Sequence, residues 1–250
     1  DGMLHRYMQL PRPVLDRVVS RIKVLGHLDI TNRLRPQDGR TTIAVGERRI
    51  DLRISTVPTR DSEKAVIRLL DPVGGGGLES VGIPPREIAR FRKLLTHREG
   101  IVVVTGPTGS GKTTTLYAAL RELSTEDVNI MTVEDPVEYE LKGMTQLQVE
   151  PRQGVTFASA LRAILRQDPD TILVGEIRDV DTARIAIQSA LTGHFVLSSL
   201  HGTDAVAALH RLLDMGIEAF LVASAIVGVV SQRLLRKMCD NCKEPYTPGA

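Results

Sequence analysis

The sequence predicts an α/β protein in which a domain with a parallel sheet follows a smaller α+β domain. In the C-terminal part of the chain, short apolar runs alternate with helical patterns, which is typical of buried parallel strands covered by helices. In the N-terminal part, apolar and polar residues alternate as in half-buried strands. Four consecutive glycines lie between the two parts and favour a flexible linker. The predicted boundaries are 1–71 for the first domain, 72–77 for the linker, 78–238 for the second domain and 239–250 for a terminal segment.

The first domain is predicted to contain one helix and three strands. Apolar residues recur at helical spacing from Val14 to Leu25, and Pro36–Arg40 (PQDGR) is typical of a turn. Strand patterns follow at Thr41–Val45, Arg49–Thr56 and Lys64–Asp71, and apolar and charged residues alternate clearly in the second of them.

In the second domain, strands and helices alternate along the chain. The predicted strands are 101–105, 129–135, 170–176 and 194–201, and the predicted helices run from the end of a glycine-rich loop to Leu123, over 157–166 and over 181–191. A later apolar stretch, Ala219–Val230, is too short to span a bilayer and is predicted to be one buried helix.

The composition narrows the possible functions. Thirty-two basic and thirty acidic residues leave a net charge of +2, which argues against a protein with a strong field for nucleic acid. The first residues lack the pattern of a signal peptide, so we expect a cytosolic protein. The chain begins with Asp1-Gly2, a dipeptide typical of turns inside hairpins, and this start indicates a piece cut within a domain.

The clearest motif is G-x-x-x-x-G-K-[ST], which lies between a predicted strand and a predicted helix. Its glycines let backbone N–H groups surround an anion, and the helix N-terminus adds partial positive charge. Lys112 is expected to reach the β- and γ-phosphates, and Thr113 to bind Mg²⁺. The alternative is a glycine-rich loop that only turns the chain. The predicted nucleotide-binding residues are Gly106, Pro107, Thr108, Gly109, Ser110, Gly111, Lys112, Thr113 and Thr114.

Two predicted strands end in carboxylates, and the carboxyl edge of a parallel sheet is where ligands bind. Glu134 ends the first of these strands and is a candidate to polarise an attacking water. Its neighbour Asp135 has an alternative role as the N-cap of a helix that starts at Pro136. Glu176 follows the second strand, where a metal or its water is usually held, and the alternative is a surface glutamate.

Several cationic side chains are further candidates for phosphate contacts. His201 follows a predicted strand and would sense the γ-phosphate, although a lone histidine is more often structural. Arg53 and Arg68 belong to strands of the first domain, and a nucleotide site at a domain interface needs cations from outside. Arg162 and Arg166 are spaced for one helix face. The alternative for all four arginines is a solubilising role.

The two cysteines, Cys239 and Cys242, have the spacing of zinc ligands but supply only two of the four that zinc needs. No second pair follows before Ala250. A structural disulfide is not expected, since nothing indicates secretion.

Taken together, these motifs resemble those of the cytoplasmic ATPases that power type II secretion and type IV pilus assembly, similar to general secretory pathway protein E. The resemblance covers nearly the whole chain and rests on RPQDGR, RISTVPT, GPTGSGKTTTLY, TVEDPVEY, LRAILRQDPDTILVGEIRD, TGHFVLSSLHGTDAVAALHRLLDMG and QRLLRKMCDNCKEPY. It implies a PAS-like N-terminal domain, a linker and a RecA-like ATPase domain, with ATP and Mg²⁺ bound between the domains of a homo-hexamer.

The resemblance also implies roles for individual residues. Glu134 matches the acidic box that activates water, Glu176 matches an atypical Walker B glutamate, and His201 matches the histidine box. Thr113 and Glu176 would hold Mg²⁺, directly or through water, and Lys112 would act in catalysis.

For the arginines and cysteines, the resemblance implies the following. Arg53 and Arg68 match arginines of the N-terminal domain that approach the phosphates. Arg162 and Arg166 match essential arginines between the boxes. The cysteine pair matches the first half of a tetracysteine subdomain whose second half is missing from this sequence, so Zn²⁺ binding is expected only in the full-length protein.

The function expected from the resemblance is that of a motor which hydrolyses ATP to assemble pilin-like subunits. Its expected partners are further copies of the chain, an inner-membrane platform protein and a cytoplasmic membrane-anchor protein, with no direct nucleic acid. The expected location is the cytoplasmic face of the inner membrane. The alternatives are a pilus-retraction or DNA-uptake motor, a non-catalytic ATP-binding adaptor and a small-molecule kinase. A regulatory GTPase would need an NKxD segment, which the sequence lacks.

Overall fold

The computed structural model describes residues 4–46, 48–70, 76–239 and 241–245. The chain divides into two compact units: unit 1 comprises residues 1–76 and 137–142, and unit 2 comprises residues 77–136 and 143–250. Most of the predicted linker, 72–77, lies outside the described residues, as do Asp71 and the end of the predicted terminal segment. The predicted domain boundaries are therefore not tested and stay predictions.

Unit 1 is a small α+β unit in which one helix packs on a three-stranded antiparallel sheet of order β1-β2-β3. Alternation along the middle strand buries Leu52 and Ile54, which form a core with Val19 of the helix. The predicted helix and three strands are confirmed. The elements are α1 (Arg12–Leu25), β1 (Gln37–Val45), β2 (Arg48–Pro58) and β3 (Glu63–Leu70).

The turn predicted at Pro36–Arg40 is wrong, because β1 begins at Gln37. Gly39 lies within this strand and pairs with Ile54 of β2. A Cβ atom at Gly39 would collide with the carbonyl oxygen of Gly26, just after α1. The glycine therefore permits a close backbone approach inside unit 1 rather than a reversal of the chain.

Unit 2 contains a six-stranded sheet of order β6-β5-β7-β8-β4-β9, in which every neighbouring pair is parallel. Four of its strands are buried at every position, which explains their continuous apolar runs. The helices are α2 (Pro85–Leu95), α3 (Lys112–Leu123), α4 (Phe157–Ile164), α5 (Val180–Leu191), α6 (Ala205–Asp214) and α7 (Ala219–Ala225). The strands are β4 (Gly100–Thr105), β5 (Ile130–Glu134), β6 (Thr145–Gln148), β7 (Thr171–Val174), β8 (Phe195–Leu200) and β9 (Ile226–Ser231).

The single helix predicted over Ala219–Val230 is wrong. Helix α7 ends at Ala225, and the rest of the stretch forms β9, which pairs in parallel with the central strand β4. The second half of the stretch is rich in valine and isoleucine, whose branched Cβ atoms favour strands. Gly228 lets the new strand approach Leu94 of α2, whose side chain a Cβ atom would strike. Sequence reasoning also missed α2, α6 and the edge strand β6.

The parallel arrangement places the carboxyl ends of all six strands at one edge of the sheet. Thr105, Glu134, Val174, Leu200 and Ser231 are the last residues of five of these strands. The loops that carry the predicted motifs therefore leave the sheet on the same side. Within the described part of the chain, no helix has the length and apolar character that crossing a membrane requires.

Candidate nucleotide-binding site

The glycine-rich loop connects the central strand β4 to the N-terminus of α3. Gly111 caps the helix with φ +84°, a left-handed conformation that favours glycine. Gly106, at the start of the loop, is in close contact with its surroundings: a Cβ atom there would lie 2.5 Å from Ser110 Oγ. The backbone N–H groups at this helix start have no intrahelical acceptors, so the loop fits an anionic group. These features confirm the strand–loop–helix context that the motif requires.

Lys112, the first residue of α3, folds back over the loop. Its Nζ donates to the carbonyl oxygen of Gly106 at 2.9 Å and to that of Pro107 at 3.0 Å. Burial lowers the pKa of Lys112, and the carboxylate of Glu176 acts in the opposite direction. The ammonium therefore lies at the mouth of the loop, within the electrostatic influence of the second acidic strand end.

The remaining residues of the motif differ in their exposure. Thr108 and Gly109 are exposed at the tip of the loop, and Thr113 and Thr114 are exposed on the first turn of α3, while Ser110 is buried. A hydroxyl at Thr113 and a carboxylate at Glu176 are oxygen donors of the kind that Mg²⁺ prefers. Among the described residues no cluster of three or more metal-binding side chains occurs, but Mg²⁺ at phosphate sites often takes only one or two protein ligands. The donor set thus fits Mg²⁺.

Gln232 supports the loop from the end of β9, and sequence reasoning missed it. Its side-chain amide donates to Ser110 O at 2.6 Å, and its backbone N–H donates to Thr105 O at 2.9 Å. A Cβ atom at Gly111 would lie 3.3 Å from the same amide nitrogen. The two residues of this side-chain contact are 122 positions apart in sequence, so no local pattern indicates it.

Glu134 ends β5 and is buried, with 3% of its surface exposed. Three side chains donate hydrogen bonds to its carboxylate: Tyr117 from α3, Thr132 at 2.6 Å and Gln146 at 3.2 Å. A carboxylate has about four acceptor sites, so these donors leave about one for another molecule. Sequence reasoning placed Glu134 at a strand end but did not predict its three partners.

Glu176 follows β7 and faces cationic groups instead. Its carboxylate forms an ion pair with Arg178, and its Oε2 lies 3.7 Å from His201 Nε2. The hydrogen bond with Glu176 raises the pKa of Arg178, and the charges of Glu176 and Asp135 add to this effect. Glu176 thus lies between the lysine of the loop and two side chains of neighbouring loops. Arg178 was missed, although it stands two residues after Glu176 in the ILVGEIRD motif.

Asp135 does not cap a helix at Pro136, because no helix begins there in the described chain. Its carboxylate lies 3.7 Å from Arg178 Nη1 instead. The helix-cap alternative for Asp135 is therefore wrong. Arg178 links Asp135 and Glu176, the two acidic residues that follow neighbouring strands β5 and β7.

His201 follows β8 and lines an open cleft of about 470 Å³ beside the glycine-rich loop. The cleft is lined by residues of the loop, of the segment after β8 and of the segment after β9: Gly106, Pro107, Thr108, His201, Gly202, Thr203 and Arg233. Another histidine, His194, lies just before the same strand, and its Nδ1 lies 3.1 Å from the carbonyl oxygen of Ser189. The two histidines therefore lie at opposite ends of β8, and of the two only His201 lines the cleft.

Arg162 and Arg166 do not share a helix face as predicted, since α4 ends at Ile164. Arg166 lies in the turn after the helix, and its Nη1 donates to the carbonyl oxygen of Arg162 at 2.9 Å. Both side chains are exposed, and neither lines the cleft. The helix is shorter than its pattern because Asp168 and Pro169 follow it closely, and a residue before proline disfavours the helical conformation.

Arg53 and Arg68 are direct partners across the β2–β3 pair of unit 1. Arg40 is the partner of Arg53 on the other side, so three arginines form a row across the sheet. Like charges directly opposite each other on a sheet are destabilising unless counter-charges are present. The predicted pair is therefore brought together within unit 1, and its role toward a nucleotide stays a prediction.

Cys239 and Cys242 are both exposed, and no disulfide joins them. Hydrogen bonds from the backbone of Asn241 and from the thiol of Cys242 lower the pKa of Cys239. The described residues provide no third or fourth ligand in a cluster with them. Two thiols do not fit a tetrahedral zinc site by themselves.

Comparison with known proteins agrees with these features. The sequence model of the family described as "Type II/IV secretion system protein" matches residues 1–249. The chain is 51% identical over 247 residues to the type II secretion system ATPase E of Vibrio cholerae, which covers 98% of this chain and 49% of that protein. It is 48% identical over 249 residues to the type IV pilus assembly ATPase PilB of Thermus thermophilus, which covers 99% of this chain and 28% of that protein. The chain thus spans about half the length of the first of these relatives and 28% of the length of the second.

A solved structure also resembles the chain. The crystal structure of the pilus retraction motor PilT with bound ADP aligns with a TM-score of 0.69 and 33% identity, covering 81% of this chain and 60% of that one. The match therefore extends beyond the motif to most of the fold.

Proposed function

Because the chain belongs to the type II/IV secretion system protein family, we propose that it is the ATP-hydrolysing part of a motor that assembles pilin-like subunits, in type II secretion or in type IV pili. Unit 2 has the RecA-like fold of secretion ATPases. The observation that carries the proposal is the meeting of the glycine-rich loop, Lys112, Glu176 and His201 at one edge of the parallel sheet.

The site residues divide into phosphate-binding and water-orienting groups. The backbone N–H groups of the loop and the ammonium of Lys112 bind the phosphates and balance their negative charge. Thr113 and Glu176 would hold Mg²⁺, which would supply positive charge to balance the terminal phosphates. Glu134 has about one acceptor site left beside its three donors, and this site orients a water for attack. His201 lines the cleft next to Glu176 and contacts the γ-phosphate.

The larger assembly is part of the same proposal. We propose that the protein works as a homo-hexamer at the cytoplasmic face of the inner membrane, with a platform protein and a membrane-anchor protein as partners. Arg53 and Arg68 then supply positive charge to the nucleotide, and Arg162 and Arg166 act on phosphates rather than on solubility. Zn²⁺ binds only when further cysteines join Cys239 and Cys242.

A retraction motor is the second candidate, because PilT is among the structures that the chain resembles. Relatives named for secretion and for pilus assembly match at 51% and 48% identity, against 33% for the retraction motor. The RPQDGR box and the cysteine pair also favour assembly or secretion. We therefore place retraction second.

The test is release of phosphate from ATP by the purified chain, measured with and without Mg²⁺. The expected result is Mg²⁺-dependent release into water that needs no acceptor molecule. Lys112→Ala is the matched control and should remove both nucleotide binding and phosphate release. A wild-type protein that binds ATP but never releases phosphate, even when assembled, would favour the non-catalytic adaptor. Release only in the presence of an acceptor would favour a kinase.

A further inference from the structure

Of the two residues that follow β9, one bonds to the glycine-rich loop and the other lines the cleft beside it. Gln232 bonds to Ser110 O and supports the loop, as described above. The next residue, Arg233, lines the cleft that the beginning of the loop shares with His201. An arginine of unit 2 itself therefore lines the cleft beside the loop, and the proposed function gives it no role.

The position of Lys112 identifies which end of a nucleotide this cleft receives. In loops of this type the lysine ammonium reaches the β- and γ-phosphates. Here that ammonium lies within 3.0 Å of the carbonyl oxygens of Gly106 and Pro107, and both residues line the cleft. The cleft therefore adjoins the terminal phosphates and not the base.

The lining of the cleft supports the same conclusion. It consists of glycine, proline, threonine, histidine and arginine, with no leucine, isoleucine, methionine, phenylalanine, tyrosine or other large apolar side chain. An adenine ring would need an apolar or aromatic surface to stack on, whereas phosphate oxygens need N–H and O–H donors. Thr108, Thr203, His201 and Arg233 supply such donors.

Most N–H donors of the Arg233 guanidinium form no hydrogen bond among the described residues. One of its nitrogens, Nη2, donates to the carbonyl oxygen of Thr203 at 3.3 Å, and no carboxylate of the described residues forms an ion pair with it. The adjacent carboxylate, Asp204, serves as the N-cap of α6, where it accepts the N–H of Ala207 at 2.8 Å; this hydrogen bond and, to a smaller extent, the charge of Arg233 lower its pKa, but the two side chains form no ion pair. A guanidinium has five N–H donors in a planar fork that matches phosphate oxygens. Arg233 is thus a positively charged group available to an anion in the cleft.

We propose that Arg233 binds the γ-phosphate of ATP and thereby lets unit 2 distinguish ATP from ADP with its own residues. The proposal rests on the proposed function, because it assumes that the glycine-rich loop holds a nucleotide. It differs from the roles of Arg53 and Arg68 because Arg233 belongs to the same unit as the loop. The contact would be lost when the γ-phosphate leaves.

The test compares the affinities of the full chain for a non-hydrolysable ATP analogue and for ADP, each carrying the same fluorescent label. Arg233→Gln removes the charge and should weaken binding of the ATP analogue about tenfold or more, because charge-assisted hydrogen bonds to phosphate are lost. Binding of ADP should change less than about twofold, and this unchanged value also shows that the variant is folded. Arg236→Gln is the matched control, because it removes an exposed arginine of the same segment that does not line the cleft.

Each outcome separates this proposal from the proposed function. Selective loss of the ATP analogue in Arg233→Gln supports the γ-phosphate contact. Equal weakening of both nucleotides, or no change in either, overturns it while leaving the ATPase proposal in place. A wild-type chain that binds neither nucleotide overturns both. If Arg233→Gln does not fold, Arg233→Lys replaces it: a weaker preference for the ATP analogue is expected, and an unchanged preference contradicts the proposal.

Discussion

Glu134 ends β5 and Glu176 follows the neighbouring parallel strand β7, and yet their surroundings differ in kind. Glu134 is buried and receives hydrogen bonds from three neutral side chains: Tyr117, Thr132 and Gln146. Glu176 pairs with Arg178 and lies near His201, beside the cleft that adjoins the glycine-rich loop. The first carboxylate is held by buried neutral donors that leave about one acceptor site for a water, whereas the second is paired with cationic side chains beside the cleft.

The different surroundings of Glu134 and Glu176 show that an acidic residue at a strand end has no single role. In both segments an apolar run ends in a carboxylate, and the local pattern is the same. The role depends on what the rest of the fold places beside the carboxylate. The following variants test whether the contrast between the carboxylate held by buried neutral donors and the carboxylate paired with cations holds.

The largest effect is expected from Glu176→Gln. Loss of this charge should reduce phosphate release about 100-fold or more while nucleotide binding stays within severalfold of wild type. Because Glu176 pairs with an exposed arginine, the free energy of unfolding should change by less than about 1 kcal/mol. Phosphate release, labelled-nucleotide binding and urea unfolding measure the three quantities. Turnover near the wild-type rate would show that Glu176 is not a catalytic residue.

Glu134→Gln should lower both stability and turnover. The new amide group would face Tyr117, Thr132 or Gln146 with a donor where an acceptor is needed, leaving buried groups unpaired. Such a loss costs about 1–3 kcal/mol in the free energy of unfolding. Urea unfolding of this variant beside Glu176→Gln compares the two sites directly. Equal stability of the two variants would contradict the contrast between them.

The pH dependence of nucleotide binding tests the influence of Glu176 on Lys112. Burial lowers the pKa of Lys112 from its ordinary value of 10.5, so the ammonium loses its proton at a lower pH than a free lysine. Since phosphate binding needs the charged form, affinity for ADP should fall as the pH rises through this lowered pKa. The Glu176 carboxylate raises the pKa of Lys112, so the fall should begin at a lower pH in Glu176→Gln.

The second carboxylate provides the control for that experiment. Glu134 is not among the groups that shift the pKa of Lys112, so Glu134→Gln should leave the onset of the fall where it is in the wild type. An identical shift in both variants would show that the two carboxylates act on the loop in the same way. Labelled-ADP titrations between neutral and alkaline pH provide the comparison.

The smallest effect is expected from Arg178→Gln. This change removes the ion pairs with Glu176 and Asp135, which are partly exposed and contribute about 0–1 kcal/mol to stability. Turnover should fall severalfold, because Glu176 loses the partner that holds its carboxylate in place. Lys93→Gln, an exposed charge on α2 away from the site, is the control. A drop in stability as large as that of Glu134→Gln would mean that Arg178 is structural.

Much of the fold and part of the site could be predicted because their causes are local. The strand before Gly106, the helix after Lys112 and the strands before Glu134 and Glu176 all follow from short apolar runs and from glycine at set positions. The stretch Ala219–Val230 was the exception, since its apolar residues suit either a helix or a strand. Pairing with the central strand β4, not the local pattern, selected the strand.

By itself, the sequence determined that a glycine-rich loop opens a helix at the edge of a parallel sheet, because backbone conformation and hydrophobic periodicity are properties of neighbouring residues. Only the tertiary structure decided which side chains surround that loop. Gln232 supports Ser110 from 122 positions away, Tyr117 joins the helix after the loop to Glu134, and Arg233 reaches the cleft from the last strand. The physical reason is that hydrogen bonds and ion pairs depend on distance in space, and strand order in the sheet sets that distance between residues far apart in sequence.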